Sequence, residues 1–91
     1  MLWLAPPAPN PSGRAVSLRY ALPAAGPASV EVFGVRGERV WGQAYAMQSA
    51  GTHEITWDGH TAGGRRAGTG LYFVRLTTTA GTRTVRMVRY E

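Results

Sequence analysis

Few side chains in this sequence could do chemistry, and their types and spacing decide what kind. It has five carboxylates and two histidines, with no cysteine and no lysine. Glu54 and Asp58, the nearest acids in one regular stretch, lie roughly 13 Å apart along an extended chain rising about 3.3 Å per residue, wider than a carboxylate pair that cleaves a glycoside. General acid and base partners are missing, so the expectation is a protein that is not an enzyme. His60 beside Asp58 gives two ligands where a metal site needs more; no metal site is expected, and Asp58 reads as ordering its own turn. His53 falls in phase with Ile55 and Trp57, as a satisfied core or rim histidine does. Gly59, Gly63, Gly64, Gly68 and Gly70 resemble a phosphate loop in number only. No helix pattern follows them and no Lys-Ser/Thr pair is present, so neither a nucleotide nor any other cofactor is expected.

The net charge of +5 and the pI of about 10.8 invite a nucleic-acid reading. Clustered arginines would neutralise phosphates, but here they are spread from Arg14 to Arg89, mostly at outward strand positions or in turns. No specific nucleic-acid partner is expected. Their use in place of lysine, with abundant Ala, Gly and Pro, reads as compositional bias of the source. Arg65 and Arg66, in a long loop, are candidate contacts to a partner. Ninety-one residues, 44% of them hydrophobic, make one domain with a modest core. Without cysteine, no disulfide staples it. Residues 1–5 are too short for a signal-peptide core or a membrane span, which implies a removed export signal or a terminal domain of something longer.

Residues 57–76, WDGHTAGGRRAGTGLYFVRL, organise the rest. His53, Ile55 and Trp57 share one parity of a strand, with Trp57 as its core anchor. Asp58-Gly59 ends that strand, since Asp bonds its own backbone two residues on and Gly accepts positive φ. After Gly70, a strand carries Tyr72, Val74 and Leu76 on one face and Arg75 on the other. Earlier, Met1-Leu2-Trp3-Leu4-Ala5 is an apolar run that could pair at a sheet edge, and Pro6, Pro7, Pro9 and Pro11 follow as an extended arm. Trp3 either covers one end of the core or docks into a neighbour.

Val16, Leu18, Tyr20 and Leu22 alternate with polar or small residues as a half-buried antiparallel strand. Residues 23–27 turn the chain, and a strand holding Val30 and Val32 follows. Gly34-Val35-Arg36-Gly37 reads as a hairpin loop with Gly37 left-handed. The strand from 38 to 47 loses its parity near Gly42, which predicts a bulge there. Thr79-Ala80-Gly81 is a tight reversal with positive φ at Gly81 alone. The closing strand has Val85 and Met87 on one face and Val88 and Tyr90 on the other, so it is either central or covered on one face by another molecule. Six or seven short strands and no helical period indicate an all-β, antiparallel, immunoglobulin-like sandwich. A five-stranded oligonucleotide-binding barrel is the structural alternative. The expected layout is an N-terminal strand and Pro-rich entry arm over 1–13 and the sandwich over 14–91.

The ordered motifs resemble those of the type A C-terminal sorting domain of type IX secretion cargo and of its relative, the flagellar hook-capping-type immunoglobulin-like domain. Over residues 8–91 the chain carries Pro9-Asn10-Pro11, Leu22-Pro23, a V-x-V-[FY]-type stretch ending at Gly37 and Val40, and an A-G-x-H stretch over 50–53. Trp57-Asp58-Gly59, then Gly70 with Tyr72 in a G-[VLI]-Y-type strand, and alternating basic and aliphatic residues over 83–89 complete the set. Three departures from that pattern matter. Gly34 replaces Asp, His60-Thr61-Ala62 replaces Arg-Asp-Asp, and Arg replaces Lys in the closing strand, which keeps charge but changes contact geometry.

The resemblance implies a non-catalytic sorting or anchoring module on an exported protein. Its implied partners are the outer-membrane secretion machinery and an upstream cargo domain, and its implied route is through the periplasm to the cell surface or medium. A basic, β-branched terminal strand can add to another sheet through main-chain bonds, which makes Val85, Arg86, Met87, Val88 and Arg89 candidate recognition residues. The alternative is a structural or adhesive sandwich that assembles into a fibre or packs on a parent protein, with residues 1–5 donated to a neighbour's sheet edge. A carbohydrate-binding sandwich, using an exposed face of Trp3, Trp41 or Tyr45, is a further alternative.

Overall fold

The computed structural model describes residues 1–9 and 13–90, so Asn10 and Pro11 of the opening motif lie outside the described residues. Alternating apolar and polar residues become seven strands: β1 (Trp3–Leu4), β2 (Val16–Leu22), β3 (Gly26–Gly34), β4 (Arg39–Gln48), β5 (Gly51–Trp57), β6 (Gly70–Thr78) and β7 (Gly81–Arg89). They form two antiparallel sheets, ordered β1-β2-β5 and β4-β3-β6-β7. This is the immunoglobulin-like sandwich that the strand spacing predicts. Among the described residues no helix is long and apolar enough to cross a membrane.

The core lies where the two inward parities meet. Val16, Leu18, Tyr20 and Leu22 of β2 and Trp57 of β5 are buried with Val30 and Val32 of β3, Val74 and Leu76 of β6, and Met87 of β7; Tyr72 packs against this cluster. Each fully buried aliphatic side chain contributes about 1.5–3 kcal/mol, so a core of this size depends on every member. His53 stacks on Tyr20 at 5.4 Å and its Nε2 lies 2.8 Å from the Ser49 carbonyl, which makes it the satisfied rim histidine its phase predicts.

Local turn chemistry follows the sequence. Gly37 is left-handed at φ 87° and donates its N–H to Gly34 O at 2.9 Å, closing the β3–β4 hairpin. The Glu38 carboxylate folds over Gly34, in the space a side chain there would need. Gly81 alone takes positive φ, 137°, in the β6–β7 reversal.

Three expectations change. β3 begins at Gly26, earlier than the apolar alternation implies, because Pro27 stands opposite no paired residue on either neighbouring strand and so forfeits no ladder bond. Gly42 is not a bulge: it pairs in register with Glu31, and the irregularities fall instead opposite Val32/Phe33 and Gly26/Ala28. Gly42 is needed because the Arg39 side chain crosses it to reach Glu31 at 3.0 Å. Residues 1–5 are not held out for a neighbour. Trp3 and Leu4 pair with Ala21 and Tyr20, and it is Leu2 and Leu4 that enter the core while Trp3 stays half-buried on the other side.

β7 is an edge strand, not a central one. Its inward parity holds Val85, Met87 and Arg89, and its outward parity Arg86 and Val88.

Candidate functional site

The most elaborated corner of the molecule is built where β5 ends. Trp57 is fully buried, and its indole Nε1–H donates to the His60 carbonyl at 2.8 Å. Asp58 Oδ1 accepts the His60 backbone N–H at 2.9 Å, the self-bonded turn that Asp-Gly predicts. Gly59 is left-handed at φ 85°. A Cβ on it would overlap the guanidinium of Arg89, which lies over the Trp57 ring at 4.7 Å and donates from Nη1 to the Arg14 carbonyl at 3.0 Å. Each residue of Trp-Asp-Gly thus has a separate task. Trp supplies a π face for a cation, Asp sets the turn, and Gly leaves the room the cation occupies.

Arg89 is only 1% exposed. Burial pulls its pKa below the usual arginine value; Tyr72 and Asp58 oppose that change, and Arg66 reinforces it. Its placement corrects the expectation that Arg89 meets a partner. In the folded domain its side chain is committed to Trp57 and Arg14, and Val85 and Met87 face the core beside it. Of the five closing-strand candidates, Arg86 and Val88 present side chains to solvent. A parity argument alone could have found this, because Arg89 shares the face of Val85 and Met87.

The excursion over residues 59–69 is an ordered loop. Thr61 N–H donates to Arg65 O at 2.7 Å, Ala67 N–H to Gly59 O at 2.8 Å, and Ala62 N–H to Val40 O at 2.8 Å, with Ala67 buried. The Tyr72 hydroxyl donates to Gly68 O at 2.8 Å, and Gly70, at φ 154°, releases the chain into β6. The two loop arginines separate. Both are exposed, but only Arg66 is tied back, its Nη2 donating to Gly13 O at 2.7 Å. Arg14, Asp58, His60 and Arg66 line an open cleft of about 360 Å³. His60 Nδ1 lies 3.5 Å from Asp58 Oδ1 with both side chains exposed, so the pair faces water beside the turn it caps.

The sequence reading missed the outer face of the four-stranded sheet. Phe33 pairs with Phe73 across β3 and β6, and Phe73 with Arg86 across β7. The Arg75 guanidinium lies 4.4 Å over the Phe33 ring. These residues meet only through strand register, which no local pattern reveals.

Comparison with known proteins matches the chain to the FlgD Ig-like domain over residues 10–82. The chain belongs to the FlgD Ig-like domain family. Among solved structures, this FlgD Ig-like domain is similar to part of the dimeric latent PorU of Porphyromonas gingivalis, at 21% identity and a TM-score of 0.76, with 98% of the chain and 9% of PorU covered. It is similar to FlgD of Xanthomonas campestris at 24% identity and a TM-score of 0.65, covering 96% of the chain and 65% of that protein. PorZ of Porphyromonas gingivalis, described as an essential surface component of the type IX secretion system, is similar at 22% identity and a TM-score of 0.61, with 99% and 11% covered. At these identities the likeness is one of fold. The chain spans about a tenth of PorU and PorZ and less than two thirds of that FlgD. Comparison with curated protein sequences gives no match.

Proposed function

We propose that this domain is a non-catalytic sorting or anchoring module, which directs an exported protein through a type IX outer-membrane translocon to the cell surface or medium. The observation that carries the reading is the whole-chain likeness, 98% covered, to a unit that makes up 9% of PorU. In PorU a sandwich of this kind is a small part of a much larger protein, PorZ, a surface component of the type IX secretion system, has a similar one, and here the fold coincides with the motif order of residues 9–89. Partners on this reading are the secretion machinery and a cargo domain. Arg65, Arg66, Arg86 and Val88 are the candidate residues with exposed side chains.

The experiment is a fusion of the domain to a periplasmic reporter in a type IX-competent host. Reporter on the cell surface or in the medium is the expected result, and retention in the periplasm by a folded fusion overturns the reading.

The second reading is a structural sandwich that packs on a parent protein or assembles with others. The fold likeness to FlgD, over 96% of this chain, favours it. Donation of residues 1–5 is not part of it, since β1 completes its own sheet. Sedimentation separates the two, because assembly predicts concentration-dependent association of the isolated domain.

A further inference from the structure

We propose that the outer face of the β4-β3-β6-β7 sheet is a docking surface for an acidic polypeptide that alternates carboxylate and apolar side chains. The two outer faces of the sandwich differ in chemistry. On β2 and β5, Ser17 bonds Glu54, Arg19 stands opposite Glu54, and Thr52, Thr56 and Ala21, with Trp3 opposite Ala21, make up the remainder; acid and base stand there one for one.

The four-stranded face carries the row Phe33–Phe73–Arg86, flanked by Leu71–Val88 on one side and Glu31–Arg75–Thr84 on the other. Phe33, Phe73 and Leu71 are only partly covered, and Val35 and Val88 are 65% and 46% exposed. Phe33, Val35, Phe73, Arg75 and Thr84 line a hollow of about 280 Å³, open for an apolar side chain.

Charge selects the occupant. Glu31, the acid on this face, is held by Arg39 at 3.0 Å and Arg75 at 3.3 Å, so one carboxylate answers two guanidiniums. Arg86 is exposed beside Phe73 with no hydrogen bond or ion pair among the described residues. The surplus is positive and lies next to apolar surface. A partner with carboxylates spaced between apolar side chains satisfies both, and charge of this kind governs encounter and register. A second copy of this basic chain would bring like charge to the same place. A nucleic acid would set phosphates against the central Glu31 carboxylate. The inference is independent of the export reading, since it concerns binding by the isolated domain and holds for a translocon, a cargo or a parent domain alike.

The test is fluorescence anisotropy on the 91-residue chain with short labelled peptides at low salt. One alternates glutamate with phenylalanine, one glutamate with serine, one lysine with phenylalanine; a single-stranded oligothymidylate is the fourth probe. The glutamate–phenylalanine peptide is expected to bind best. Arg86→Glu and Phe73→Ser should each weaken it about tenfold or more, with Arg86→Gln intermediate. Arg19→Glu, on the opposite face, should change it less than about twofold. Thermal melts and circular dichroism identify which variants are folded, and the Arg86 pair keeps the comparison if Phe73→Ser is not. Equal weakening by Arg19→Glu and Arg86→Glu would reduce the effect to bulk charge and overturn the proposal. Preference for the lysine peptide or the oligothymidylate, or no binding at all, would overturn it too.

Discussion

Substituting Gly59 by Ala tests the corner at Trp57 with one methyl group. A left-handed alanine costs roughly 1–2 kcal/mol by itself. At φ 85° its Cβ would also take the place of the Arg89 guanidinium. Moving that group forfeits a charged hydrogen bond to the Arg14 carbonyl, about 1.5–3 kcal/mol, and a desolvated contact with the Trp57 ring, about 0.5–2 kcal/mol. The expected loss is therefore about 3–7 kcal/mol, against a total of about 5–14 kcal/mol for a domain of this length. In an Arg89→Met background, where the apolar stem is kept and the cation removed, Gly59→Ala should cost only the backbone term, about 1–2 kcal/mol. Equilibrium urea unfolding of the two single variants, the double variant and the parent gives a coupling energy, expected at about 2 kcal/mol or more. If the two penalties simply add, to within about 0.5 kcal/mol, the guanidinium does not fill the space above Gly59 and the reasoning fails.

Asp58→Ala removes the acceptor for the His60 N–H and should cost about 1 kcal/mol in the same assay, with Asp58→Asn recovering most of it. Removing residues 1–5 uncovers the buried side chains that pack with Leu2 and Leu4 and opens the β2 edge; the expected loss is about 3–6 kcal/mol, with more self-association in sedimentation than the full chain shows. Tyr20 is pushed up to about 12, first by burial and then by Tyr45. Because the folded state favours the protonated phenol, its stabilisation is complete below pH 10 and is lost between about pH 10 and 12, on the order of 2–3 kcal/mol. Tyr20→Phe should flatten that alkaline decline, and parallel pH profiles for the two proteins would contradict it.

What the sequence makes legible is what neighbours in the chain decide. Parity alone places Val16, Leu18, Tyr20 and Leu22 inside, and turn chemistry alone places Gly37, Gly81 and the Asp58 turn, because each is settled by bonds a few residues long. Parity also puts Arg89 on the inward face with Val85 and Met87, but what receives it there was not legible in the same way. Its acceptor is 75 residues away in Arg14, and its counterpart is a ring on the opposite sheet. The charge suggested water, and only the paired strands show that Trp57 and the bare Gly59 make a place for it. The Gly42 expectation failed for a related reason: a glycine inside a strand marks either an irregular backbone or a side chain passing over it, and here Arg39 passes over it. Phe33, Phe73 and Arg86 share a face through pairings of β3, β6 and β7, so no reading of one strand at a time assembles them.

The bolt formed by Arg89 also sets an order of events on a growing chain. A ribosome delivers Trp57, the Gly59 turn and the Arg14 carbonyl long before it delivers residue 89, so the indole waits without its cation until nearly the whole domain has been made. Nascent domains halted ahead of that residue would carry a loosened corner open to proteases, and the emergence of Arg89 would convert it into a closed, durable fold.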